Sequence, residues 1–216
     1  FEKDNDYVEY FLPVPKAIPE RYSKLAEMVM TRYNLKIRKL TKKDVYEGGY
    51  GHKLFALIND TYTDLYGFAE LTEKQIDQYV KMYMPVANLD FITVIEDAGA
   101  DNKLVGMGIT IPSLSRALQK CRRGRLMPFG WWHIIRALKF NKTDGVDLLL
   151  MGVLPEYRAK GANALLFYDL IPRYQAAGIK WGESQVEMES NSGVQSQWGG
   201  FEPVNHKRRR CFKKSI

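Results

Sequence analysis

One stretch, residues 148–166, limits the possible folds of this chain more than any other. It reads LLLMGVLPEYRAKGANALL. It begins as a short apolar run of strand length and ends with helical spacing. Between them lies a turn, 155–163, that carries Arg158, Lys160 and Gly161. A strand that feeds a glycine-containing turn and then a helix N-terminus makes an anion site, because free N–H groups and the helix dipole both favour negative charge there. Arg158 and Lys160 add formal charge beside those donors. The arrangement suits a pyrophosphate. It is not the G-x-G-x-x-G dinucleotide turn, and no Gly-Lys-Ser/Thr follows, so it is not a P-loop either.

The chain has 216 residues and 45% apolar content, enough for one domain with a sizeable core. No apolar run reaches membrane-spanning length. Two distant cysteines, Cys121 and Cys211, argue against a disulfide scaffold and for a reducing, cytoplasmic setting. His52, His133 and His206 are scattered, so no metal site is expected. The net charge of +7 favours an anionic ligand. The excess is local. Residues 116–142 carry Arg and Lys with no Asp or Glu, and a second basic run starts at Lys207. The second run has only Phe212 for base stacking, which argues against nucleic acid.

Along the chain, residues 20–33 have helical spacing and 35–40 alternate as a strand. Thr41 with Asp44 and Thr72 with Gln75 form capping-box patterns that open two helical stretches. Residues 90–96 and 103–111 are apolar strands around turn chemistry and should pair as a hairpin. Two short helices are expected in an insertion, 113–142, before the strand 145–153. A helix from 161 to 177 should be kinked or shortened by Pro172. A strand at 180–187, a short helix at 191–198 capped by Ser190 and a final basic hairpin complete the order.

The turn resembles the acyl-CoA loop of the GNAT N-acyltransferase superfamily, Arg/Gln-x-x-Gly-x-Gly/Ala after a strand ending Val-x-Pro. The matching residues are Val153, Pro155, Arg158 and Gly161, with Asn163 in the last position. The resemblance implies an α/β fold, with a mostly antiparallel twisted sheet, helices on both faces and a splayed central strand pair. It implies acetyl-CoA (coenzyme A) as donor and an amine of unidentified structure as acceptor. Met151, Gly152, Val153, Arg158, Ala159, Lys160, Gly161, Ala162, Asn163 and Asn191 would hold the cofactor. Gly152 would mark a bulge in the splayed strand. Tyr66 and Phe68 would line the acceptor site. Glu183 and Glu187, alternating onto one strand face, are the candidate bases, with Asp147 on the neighbouring strand. The family's tyrosine acid is replaced by Trp198, whose indole cannot supply a proton in that way. A non-catalytic acyl-CoA-binding or interaction module is the alternative.

Phe1-Glu2 and Asn5 are echoed at Phe201-Glu202 and Asn205. Residues 1–18 are therefore expected to be the end of an upstream GNAT-like unit plus a linker, 19–33 a connecting helix, and 34–216 the GNAT domain. The chain resembles the C-terminal half of bacterial tandem GNAT-like proteins, and its first residue, Phe, fits a piece of a longer chain. On that expectation residues 1–12 have no native partner within this chain and should be disordered, dock on this domain's sheet or pair with a second copy in a homodimer. The insertion, with Trp131, Trp132 and His133, lies beside the acceptor cleft by chain order and is read first as a solvated charged helix with its two tryptophans buried, with a basic, aromatic lid or a membrane contact as the alternatives.

Overall fold

The computed structural model describes residues 1–85, 87–140 and 143–214; Lys142 of the first basic run lies outside them. The strands are β1 (Glu2–Pro13), β2 (Leu35–Arg38), β3 (Ile92–Asp97), β4 (Lys103–Pro112), β5 (Gly145–Val153), β6 (Trp181–Ser184), β7 (Glu187–Met188) and β8 (Val204–Lys213). The helices are α1 (Glu20–Tyr33), α2 (Lys42–Tyr46), α3 (Tyr50–Tyr62), α4 (Glu73–Tyr83), α5 (Ser115–Gln119), α6 (Gly130–Phe140), α7 (Pro155–Arg158), α8 (Asn163–Ala176) and α9 (Ser192–Gln195). All the strands join one sheet, antiparallel except for the pair β5–β6.

Local signals account for the first half. Both capping boxes form, with Thr41 and Thr72 accepting from the backbone of Asp44 and Gln75 while those side chains reach back. The helical stretch after Thr41 breaks at Gly49, whose φ is +70, so α2 and α3 are separate. Leu54, Ile58, Ile76, Ile95, Met107 and Leu165 fill one core between helices and sheet. Leu148, Phe167, Leu170, Trp198 and Phe201 fill a second.

α8 runs through Pro172 to Ala176 and is not shortened there. Leu170, Ile171 and Tyr174 are buried around the proline, and the Tyr174 hydroxyl donates to Thr110 Oγ1 at 2.9 Å. That packing outweighs the lost backbone bond.

β1 takes one of the outcomes expected for it and docks in this chain's own sheet. Phe11 is opposite Glu183 of β6 and also Val204 of β8, so β1 has neighbours on both edges. Lower down, Tyr7 and Val8 pair with Met188 and Glu187 of β7. The expected final hairpin is instead the single strand β8, laid along β1. Its basic run is neutralised there. Arg210 and Arg208 hold the buried Asp6 at 2.7 and 3.2 Å, and Lys207 and Arg209 hold Glu9.

The hydrogen bond from Arg210 holds the Asp6 carboxyl well below the usual carboxylate range, helped by Lys3 and opposed by burial. A depressed folded-state pKa contributes stability that is present above the unfolded value, about 3.9, and lost as pH falls towards the folded value. Melting temperature is therefore expected to drop as pH is lowered below about 4, and Asp6→Asn should flatten that drop. An unchanged acid limb in Asp6→Asn, read by circular dichroism, would count against this role.

Candidate functional site

β5 and β6 run side by side only from Gly145 opposite Trp181 to Leu148 opposite Ser184. β5 then bulges. Its partners on β4 step from Leu148 to Leu150, leaving Leu149 without one. The bulge is at Leu149 and not at Gly152, which pairs in regular register with Met107. Gly152 is needed for a close approach, since a Cβ there would lie 2.7 Å from Thr61 Oγ1. On the other side the chain leaves the sheet after Ser184 and resumes as β7 against β1. The Ser184 hydroxyl covers the break by accepting the Tyr10 N–H at 3.0 Å.

A wedge opens between the two diverging strands. It holds a cleft of about 600 Å³ lined by Met151, Gly152, Val153, Arg158, Asn163 and Asn191, among others. A second cleft of about 300 Å³ shares Tyr62, Met151, Met188 and Asn191 with the first and adds Tyr66, Glu187 and Trp198. The outer peptide edge of β5 faces this wedge without a strand partner. Side chains satisfy it instead. The Tyr62 hydroxyl accepts from Met151 N–H at 3.2 Å and donates to Met151 C=O at 3.1 Å. Arg158 donates through Nε to Val153 C=O at 2.7 Å and through Nη2 to Thr61 C=O at 2.6 Å.

The anion turn is only partly free. Gly161, Ala162 and Ala164 donate their N–H groups to loop carbonyls, and Ala162 is fully buried. Among the described residues the N–H groups of Ala159, Lys160 and Asn163 have no acceptor. Gly161 sits at φ +84 with Leu25 of α1 where a Cβ would go, so the turn requires glycine. The Lys160 ammonium points elsewhere, 4.1 Å from the Tyr157 ring centre and 5.4 Å from that of Tyr33. Pantetheine-like amides fit the β5 edge, and a diphosphate fits the three open N–H groups beside the unused guanidinium nitrogen of Arg158.

The two candidate bases part company. Glu187 lines the second cleft, and its carboxylate accepts the Trp198 indole N–H at 3.0 and 3.2 Å. Burial pushes it above the usual carboxylate range, and the bonds from Trp198 and Ser184 offset only part of that. Glu183 lines neither cleft. Burial pushes its carboxyl up, but Lys207 and His206 outweigh that and leave it lowered. Its neighbour Asp147 is raised, chiefly by burial, and is also outside both clefts. Glu9, Glu183 and His206 converge within 4.8 Å, a spacing a metal ion can bridge. The Lys207 ammonium sits on both carboxylates and the Arg209 guanidinium on Glu9, so two cations already face the two acids.

Asn191, not Ser190, caps α9, accepting from Val194 N–H at 3.3 Å. Tyr66 lines the second cleft and donates to Asp4 Oδ2 at 2.8 Å. Phe68 does not line it; the ring packs against Tyr62 at 6.2 Å. The insertion does not cover the wedge. It joins β4 and β5 where Pro112 pairs with Val146, at the end of β5 away from the splay, and none of its described residues lines either cleft. Tyr62 and Ser184 escaped the sequence reading, since nothing near either residue marks its distant backbone partner.

No protein-family model matches the chain. It is 21% identical over 196 residues to a protein of Caulobacter vibrioides (strain NA1000 / CB15N) described as a bacterial ceramide synthase, covering 89% of this chain and 46% of that one. Among solved structures it superposes on a GCN5-related N-acetyltransferase from Sphaerobacter thermophilus with a TM-score of 0.58 at 9% identity, over 97% of this chain and 51% of that one. A tandem GNAT protein from the clavulanic acid biosynthesis pathway gives 0.51 at 10% identity, over 97% of this chain and 53% of that one. The chain thus spans about half the length of these relatives. The splayed β5–β6 pair lies in a sheet of the same architecture, and the chain has the fold of the GNAT superfamily.

Proposed function

We propose that this chain is an acyl-CoA-dependent N-acyltransferase unit that moves an acyl group, acetyl in the simplest case, from acyl-CoA to an amine. The observation that carries the reading is the wedge beyond Leu148, where the outer peptide edge of β5 has no strand partner and shares a cleft with the raised carboxyl of Glu187. Acyl-CoA supplies a thioester, whose C–S bond breaks as a C–N bond forms to the amine.

Each part of the chain has a stated task. The open N–H groups of Ala159, Lys160 and Asn163, with Arg158, hold the diphosphate. The N–H and C=O of Met151 pair with the pantetheine arm once the Tyr62 hydroxyl gives them up. The N–H of Leu149, the bulge residue without a partner on β4, is the donor for charge building on the carbonyl oxygen. Glu187 takes a proton from the acceptor ammonium and so frees the amine lone pair that attacks the thioester, a role its raised pKa suits. The Trp198 indole is committed to Glu187, so the leaving thiolate takes its proton from water.

The acceptor reading favours an amine with an apolar body. Leu148, Leu149, Leu150, Val186, Met188 and Val194 line the second cleft, and the curated relative bears the description of a ceramide synthase. The unpaired cysteines Cys121 and Cys211 support a cytoplasmic setting.

Calorimetric titration with acetyl-CoA and a long-chain acyl-CoA, followed by thiol release on short and long-chain amines, tests the reading. Saturable binding with thiol release on a long-chain amine is the expected result. Binding without release on any amine would leave the non-catalytic module, and no binding would overturn the site.

A further inference from the structure

The inserted segment outside the wedge carries the unused chemistry of this chain. Leu126, Met127 and Phe129, in the loop before α6, are 51%, 72% and 73% exposed. On α6, Trp131, Trp132 and Phe140 are 42%, 44% and 56% exposed. Their rings touch in series, with centroids 5.9 and 6.3 Å apart. Such a contiguous exposed apolar surface marks an interaction site. The Trp131 indole N–H already donates to Pro128 C=O at 2.9 Å. That ring can therefore enter an apolar phase without stranding a donor.

Cations surround this surface. Lys120, Arg122, Arg123, Arg125, Arg136 and Lys139 have no carboxylate partner among the described residues, and residues 116–140 contain no Asp or Glu. The β8 run, equally basic in sequence, is held by Asp6, Glu9, Glu183 and Glu189. The unpaired charge of the insertion is thus a property of the fold as well as of composition. At its base lies a basin of about 450 Å³ lined by Arg116, Lys120, His133 and Arg136, with Arg116 also 2.9 Å from Asp144.

We propose that residues 115–140 dock the protein on an anionic phospholipid surface. The apolar loop and the tryptophans enter the headgroup–acyl boundary, and the cations and basin take the headgroup phosphates. Aromatic rings beside Lys and Arg on one amphipathic element have this preference. Nucleic acid would use the cations and could stack on the rings, but it has no counterpart for the exposed aliphatic tip of Leu126 and Met127. The proposal does not depend on the acyltransferase reading, because no residue of this surface lines the wedge.

Co-sedimentation with vesicles tests it, using phosphatidylcholine alone and an equal mixture with phosphatidylglycerol. Binding to the mixed vesicles is expected to exceed that to phosphatidylcholine by about tenfold or more, and to weaken as salt rises from about 0.1 to about 0.5 M. Phe129→Ser with Trp132→Ser, and separately Arg122→Glu with Arg125→Glu, should each reduce binding about tenfold. These residues are exposed, so both variants should keep the parent melting curve and thiol-release activity. Failure to sediment with the mixed vesicles overturns the proposal. So does parental binding by either variant, or self-association that buries Phe129 and Trp132. Tighter binding to a labelled oligonucleotide than to the mixed vesicles would also overturn it.

Discussion

Replacing Glu187 with Gln is expected to lower acyl transfer about 10²–10⁴-fold, the usual contribution of a positioned base, while donor affinity stays within about twofold. Glu187 lines the second cleft, proposed for the acceptor, and its carboxylate is held by Trp198 rather than by a group proposed for the donor. The base must be deprotonated to act. The rate should therefore rise with pH through a pKa above the ordinary carboxylate range, because burial raises this group. In Glu187→Gln that limb should vanish. Equal turnover by the variant, with the limb intact, would remove Glu187 from the chemistry. Glu183→Gln is the matching control. It breaks contacts to Lys207 and His206 outside the clefts and should leave the limb where it was.

Trp198→Ala is expected to destabilise the protein by about 3–5 kcal/mol, the cost of emptying a buried aromatic site. The ring is 3% exposed, packs edge-on to Phe167 at 5.8 Å, and closes the second core beside Phe201. Its second task is separable. Trp198→Phe keeps most of the packing but removes the N–H that binds Glu187, at a cost of about 1–3 kcal/mol for the orphaned acceptor. The Glu187 pKa should then climb further, and the acid limb of the rate profile should move to higher pH. Linkage runs in the same direction. A raised folded-state pKa means that this group's stabilising contribution is present below its unfolded value and is lost as pH rises through the folded one. The Trp198→Phe variant should show that loss more strongly. Parental stability in Trp198→Ala, by chemical denaturation, would contradict the burial argument. An unmoved limb in Trp198→Phe would separate the indole from the base.

The family's acid position and the candidate base are therefore two ends of one hydrogen bond. The sequence reading takes Trp198 as a structural ring, which its burial bears out, and gives it no polar partner. Only the folded chain gives it one, since its partner is eleven residues away across a strand and a helix. The strand, turn and helix of residues 148–166 were legible in outline, and the turn lies beside the wedge, with Arg158 and Asn163 lining the first cleft. Its working parts differ residue by residue. Lys160 turns to the aromatic rings, and Arg158 commits two donors, one to Val153 C=O on β5 and one to Thr61 C=O at the end of α3. The open N–H groups of the turn are those of Ala159, Lys160 and Asn163, a selection set by the local winding at Gly161.

Sequence alone determined what is encoded within a few residues. The two capping boxes close between positions three apart, α1 follows its apolar spacing, and β5 spans the apolar run with its expected limits. Tertiary structure decided the rest. Glu183 and Glu187 would share a face on a continuous strand, because alternation has period two. The chain leaves the sheet between Ser184 and Glu187, and that rule lapses at the break. β1 finds its partners about two hundred residues away, with Asp6 and Arg210 separated by 204 positions. Closing so long a loop costs little more than closing a shorter one. The choice of partner then falls to strand register, charge pairing and burial, which exist only once the sheet has formed.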